Sequence, residues 1–144
     1  MDTLSRNYHA RLQEMCDCYM ETDYRQEMEK MVAERSSDLE EDALKYLALS
    51  ILYATTEKAR KLSFKKKEGE QKVTVKAEEK MELPTPPGEI ADKIFEIMRS
   101  ITHLEGEKGR EPLSLGLRDG RMELGVKVER EEEKESLNLS FPAL

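Results

Sequence analysis

Apolar residues keep a helical rhythm up to about residue 65 and a two-residue, strand-like rhythm after about Val73. Tyr8, Leu12, Met15 and Tyr19 are spaced four, three and four apart, one stripe of a helix beginning near Leu4. Thr22 and Asp23 interrupt that stripe and can cap a second segment carrying Met28, Met31 and Val32, so residues 4–35 read as one bent helix or as two. Ser37-Asp38-Leu39-Glu40 has the capping-box arrangement, a hydroxyl at N-cap with a carboxylate three residues on. It predicts a helix from Leu39 to Leu62 whose apolar residues cover most of the circumference, among them Leu44, Leu47, Ile51 and Leu52. Such breadth makes it the central element, with Lys58, Arg60 and Lys61 complementing the negative end of its dipole.

Lys65 to Glu70 reads as a charged linker. Val73, Val75 and Ala77 then alternate with polar residues, Met81 and Leu83 keep the same parity, and Glu79 marks a bulge or an end. Pro84-Thr85-Pro86-Pro87-Gly88 stops a strand and prepares a helix. In that helix Ile90, Ile94, Ile97, Met98, Ile101 and Leu104 form one face, and Gly106 is the expected left-handed terminator. Arg118-Asp119-Gly120-Arg121 predicts a hairpin, since Asp-Gly suits a type I′ turn. Its register pairs Leu117 with Met122, Leu115 with Leu124 and Leu113 with Val126. After an acidic loop over Arg130 to Glu135, Leu137, Leu139 and Phe141 add a strand with Val128 opposite Leu137.

The expected fold is therefore α+β: an N-terminal helical hairpin, then a small, mainly antiparallel four-stranded sheet with one helix packed on one face. The element order is α-α-β-α-β-β-β. Residues 1–64 form a helical region, 65–70 a linker and 71–144 a sheet domain.

Composition adds a constraint on burial. Hydrophobic and charged residues are each 38% of the 144 residues, Trp is absent and Met numbers eight. So thin a core points to apolar helical surface being covered by a second copy, with Tyr8, Leu12, Met15, Tyr19, Met28 and Met31 as the interface of a homodimer. The net charge is -7, and cations are interspersed with carboxylates along the chain, which argues against a nucleic-acid partner. The most apolar window, 43–54, is far shorter than the ~20 residues of a membrane span. With a polar start from Asp2 the chain reads as cytoplasmic, without a secretory leader or a membrane partner.

Candidate chemistry is sparse. Cys16 and Cys18 stand two apart, roughly 200° around a helix, so they suit neither an internal disulfide nor one shared metal; a metal site completed by a symmetry mate is the alternative. His9 and His103 lie in different halves, and neither has a nucleophile assignable to it. The carboxylate clusters Glu40-Glu41-Asp42, Glu78-Glu79 and Glu131-Glu132-Glu133 are contiguous runs, without the three- or four-residue spacing that puts two acids on one helical face. Gly116 and Gly125 fall on the polar side of the hairpin, where missing side chains leave a depression edged by Arg118, Arg121 and Lys127. These patterns predict a non-enzymatic interaction or regulatory module, self-associating through its helices and needing no cofactor or metal. The alternative is a domain sensing an anionic metabolite, on that sheet face or under the 88–104 helix.

Overall fold

Apart from Lys45 and Ser50, residues 43–54 are apolar, a run that only the centre of a molecule can satisfy, and it lies there. A computed structural model describes residues 2–34, 38–117 and 120–142, with side chains described from Tyr8 onward. Helix α3 (Leu39–Thr56) packs against α1 (Asp2–Tyr19), α2 (Tyr24–Ala33) and α4 (Gly88–Thr102), fully burying Leu44, Leu47, Ile51 and Ala54. The first region is two helices. Thr22 N donates to Tyr19 O at 3.1 Å, and the Asp23 carboxylate caps α2 by accepting from Gln26 N at 3.1 Å.

At the start of α3 the cap is Asp38, which accepts from Glu41 N at 3.1 Å; Ser37, the expected cap, lies outside the described residues. The helix ends at Thr56 and not at Leu62, so Lys58, Arg60 and Lys61 lie beyond its last turn and do not serve its dipole. Leu62 and Phe64 belong instead to a strand, and Phe64 meets Tyr46 of α3 edge-on at 6.4 Å between ring centroids.

The sheet has six strands where four were expected: β1 (Lys61–Lys67), β2 (Glu70–Lys76), β3 (Lys80–Glu82), β4 (Lys108–Leu117), β5 (Gly120–Glu131) and β6 (Lys134–Ser140). All neighbours are antiparallel in the order β3-β2-β1-β6-β5-β4, and the elements run α-α-α-β-β-β-α-β-β-β. The 65–70 linker does not exist. Lys65–Lys67 end β1, Glu70 opens β2, and Glu68 (φ 52°) with Gly69 (φ 83°) makes the two-residue turn between them. Positive φ at both positions is what a type I′ turn requires.

In the second hairpin Leu117 pairs with Gly120, Leu115 with Met122 and Leu113 with Leu124. The expected register is two residues off along one strand, which preserves parity and so keeps every apolar residue on the core side. Gly120 is already strand, and Arg118 and Asp119 of the expected turn lie outside the described residues. Val128 does pair with Leu137, and the acidic loop contracts to a turn at Glu132-Glu133.

The helices form a layer over one face of the sheet. α4 buries Ile90, Ile94, Ile97 and Met98 and touches β2 and β4, while α3 meets β1 and α1 meets β4. The roof is thus shared among helices where one was expected, because β1 and β2 widen the surface to be covered. α4 closes on His103 in the left-handed conformation (φ 61°), ahead of the expected Gly106. One apolar cluster runs from Tyr8 through α3 to Leu139, shared by the helices and the sheet.

Helical side chains also reach the backbone of both edge strands. Gln13 of α1 holds Gly116 of β4 like a neighbouring strand: its amide nitrogen donates to Gly116 O at 2.8 Å and its carbonyl accepts from Gly116 N at 2.7 Å. His9 Nε2 donates to Ser114 O at 2.8 Å. At the opposite edge, Arg25 of α2 donates to Glu82 O of β3 at 3.1 Å. Open backbone edges invite another chain, and these contacts satisfy Ser114, Gly116 and Glu82 from within.

Candidate functional site: the open face of the sheet

The residues expected at a helical interface are committed elsewhere. Tyr8, Leu12, Met28 and Met31 are buried in the chain's own core, and Met15 and Tyr19 are partly buried against it. Among the described residues only Val32 and Leu39 are large apolar side chains left exposed. The apolar surplus that motivates a homodimer is taken up within one chain. The expected glycine face is divided too. Gly116 carries the Gln13 contacts on its backbone, Arg121 donates to Ser114 Oγ at 3.3 Å, and Arg118 lies outside the described residues. Gly125 and Lys127 do share a depression of about 590 Å³.

That depression sits on the sheet face turned away from the helices. Strand alternation directs Leu62, Phe64, Val73, Val75, Leu137 and Leu139 to the core, and so directs the intervening residues outward. Register then orders those residues in rows across the strands. One row reads Lys80, Lys76, Lys61, Ser140, Gly125 and Pro112. The next reads Glu82, Thr74, Ser63, Asn138, Lys127 and Arg110. A third carries Lys72, Lys65, Ser136, Glu129 and Lys108, and a fourth Glu70, Lys67, Lys134 and Glu131. Ser114 with Glu123, then Gly116 with Arg121, complete the face beyond the first row. Eleven cations thus stand against five carboxylates, on a chain whose net charge is -7.

These cations are largely uncompensated. Lys72 pairs with Glu82 at 3.0 Å and Lys127 with Glu129 at 3.2 Å. Lys61, Lys65 and Arg110, which line the depression, have no ion-pair partner among the described residues. Several cations directly oppose one another across strands: Lys76 with Lys80, Lys61 with Lys76, Lys65 with Lys72, Lys67 with Lys134, and Arg110 with Lys127. Like charges placed so are destabilising. Lysine is a usual guard on a sheet edge, but β1 and β6 are central strands, so edge protection does not account for Lys61, Lys65, Lys67 or Lys134. At the centre of the face Ser63 Oγ donates to Asn138 Oδ1 at 2.7 Å, which fixes a neutral, polar floor.

Sequence reasoning missed Lys61, Lys65 and Arg110 because it took 65–70 for a linker and began the hairpin at Leu113. The signal was present: Leu62 and Phe64 mirror Val75 and Val73 about Glu68-Gly69. Interspersed charges along the chain are not interspersed in space, since alternation sorts the lysines to one side.

Elsewhere the polar chemistry is structural. Glu40 of α3 accepts from Arg11 and, at 2.9 Å, from the Tyr8 hydroxyl, with Lys93 of α4 3.9 Å away. The hydrogen bonds from Arg11 and then Tyr8 hold its carboxyl below the usual range, against a smaller opposing effect of burial. Burial pushes the Cys16 thiol up to about 12, with Asp17 adding to the rise, whereas Cys18 is exposed and free. Among the described residues no three His, Cys, Asp or Glu side chains are grouped to hold a metal ion, and no helix is long and apolar enough to cross a membrane. Comparison of the chain with protein-family models and with curated proteins gives no match.

Proposed function

We propose that this protein is a non-enzymatic interaction module whose working surface is the open face of the sheet, and that the partner is polyanionic. The observation that carries this reading is the set of directly opposed cations kept at a cost to folding, among them Lys61 with Lys76, Lys65 with Lys72 and Lys67 with Lys134 on central strands. Lys61, Lys65 and Arg110 lack an ion-pair partner among the described residues. A polyanion neutralises them together. Two groups with chemical potential lie away from this face and are engaged: His9 holds the β4 edge, and Cys16 is buried and protonated at neutral pH. An exposed free thiol at Cys18 suits a reducing, cytoplasmic setting.

Retention on heparin at low salt tests the reading, with Lys61→Gln/Lys65→Gln/Arg110→Gln compared to Lys30→Gln/Lys58→Gln, whose lysines lie outside the sheet. The sheet variant elutes at lower salt and the control elutes with the parent protein. Equal elution of all three discards the proposal.

A further inference from the structure

The chemistry of the face narrows the class of partner, and this step rests on the reading just given. No aromatic side chain stands in any of the four rows, and the one apolar residue there is Pro112 at the β4 edge. A folded protein partner binds through buried aromatic, aliphatic or arginine anchors in pockets. Apart from Pro112, and the arginines Arg110 and Arg121 toward the β4 edge, this face offers a partner's core no anchor to close on. Single-stranded nucleic acid takes about 1–3 kcal/mol per base from stacking on aromatic rings, and this face has no ring to stack on. A bilayer is flat, whereas successive strands rotate by roughly 20–25° and turn β3 by about 100° relative to β4. The ends of the ten-residue β4 then depart from a plane laid along β1 by more than the Debye length of about 8 Å, so the cations of β4 and of β1 cannot all lie at the lipid charge.

What remains is a rigid anionic rod recognised by its charge alone. We propose that the open face binds the phosphate backbone of a nucleic-acid duplex without reading its sequence. Six strands spaced about 4.8 Å apart extend roughly 24 Å, which covers about seven base-pair steps of 3.4 Å. Phosphate contacts need cations and hydroxyls, not base-edge readers, and Lys61, Lys65, Arg110, Lys127 and Ser136 supply both around the depression. The negative charge of the molecule does not oppose this. Residues 1–60 hold thirteen carboxylates against eight cations, but they lie mainly in the helical layer, whose outer side is a helix diameter of about 10 Å or more behind the sheet. At physiological salt that distance exceeds the screening length of about 8 Å.

Fluorescence anisotropy with the full chain tests the inference, using labelled 20-base-pair DNA and RNA duplexes of one sequence, the matching single strand, polyglutamate and phosphatidylserine vesicles. Both duplexes are expected to bind at 50 mM salt, at least tenfold more tightly than the single strand, and two unrelated sequences bind alike. Affinity falls by roughly a thousandfold between 50 and 200 mM salt if about six phosphates are neutralised. Each cation removed in Lys61→Gln, Lys65→Gln and Arg110→Gln lowers the slope of log K against log salt by about 0.9. Circular dichroism confirms that these exposed-site variants stay folded. Binding of polyglutamate or vesicles without duplex overturns this inference and leaves the polyanion reading standing. Binding of none of the probes overturns both, as does charge-dependent association of the protein with itself that excludes duplex. A single strand bound as tightly as the duplex also overturns the inference.

Discussion

Three side chains on two packed helices, Cys16 and Cys18 of α1 and Glu40 of α3, show how far a residue's surroundings decide its chemistry. Cys16 and Cys18 are two positions apart on α1, one buried and one exposed. Thiolate is the reactive form, so at pH 8 iodoacetamide is expected to modify one thiol per folded chain. Mass spectrometry of peptides should place it on Cys18, with Cys16 labelled only in denaturant; labelling of Cys16 in the native protein would contradict its burial. Glu40 is governed by partners rather than burial, since Arg11, Tyr8 and Lys93 converge on it from α1 and α4. Its folded carboxyl titrates below the ordinary value, so its contribution to stability is complete above the unfolded value of about 4.3. That contribution is lost as pH falls through the folded value. Glu40→Gln should lower unfolding free energy by about 0.5–1 kcal/mol at pH 7. Urea titrations at descending pH should show the difference from the parent closing in acid, and a difference that persists there would refute the assignment.

At the scale of elements, the turns and edges carry the specificity of the sheet. Gly69 sits at φ 83° between β1 and β2, and an L side chain in left-handed backbone costs about 1–2 kcal/mol. Gly69→Ala is therefore expected to reduce stability by that amount, while Gly125→Ala, whose added Cβ would meet Ser140 at an ordinary 3.7 Å, should be neutral or gain up to about 1 kcal/mol. Differential scanning calorimetry of the pair checks both signs. Gln13→Ala removes both bonds to Gly116 and uncovers the β4 edge. The expected loss is about 1–3 kcal/mol, with concentration-dependent light scattering that the parent lacks.

The elements most legible in sequence were those with one uniform period. α4 shows a single apolar face, α3 an apolar circumference, and Val128 facing Leu137 follows from alternation alone. β1 was hidden because only Leu62 and Phe64 mark its core side amid five polar neighbours, and because Glu-Gly is a weaker turn signal than Asp-Gly. The basic face was illegible for a related reason. Its lysines belong to strands far apart in sequence, and only the order β3-β2-β1-β6-β5-β4 brings them together.

Considered whole, the molecule has two sides of opposite character, a carboxylate-rich helical layer and a lysine-rich sheet. Repulsion among the opposed lysines predicts that added sodium chloride stabilises the fold. A relief of about 1 kcal/mol between 0.05 and 0.5 M corresponds to about 2–4 °C in melting temperature for a chain of this size. Lys61→Gln/Lys76→Gln should melt higher in low salt and respond less to salt, and a melting temperature that falls with salt in the parent would refute the repulsion. Shared burial of helices and sheet further predicts one cooperative transition. A 71–144 fragment lacks β1 and with it the partner of both β2 and β6, so it should give the circular dichroism of an unfolded chain.

The pairing of β1 with β6 has a consequence for biosynthesis. Leu62 faces Leu139, so the two three-stranded halves cannot join until Leu139 has left the ribosome, some seventy-seven residues after Leu62. Until then each nascent half bares an unpaired ladder with Leu and Val side chains beneath it, the moment at which a chaperone or an aggregate would compete for the chain.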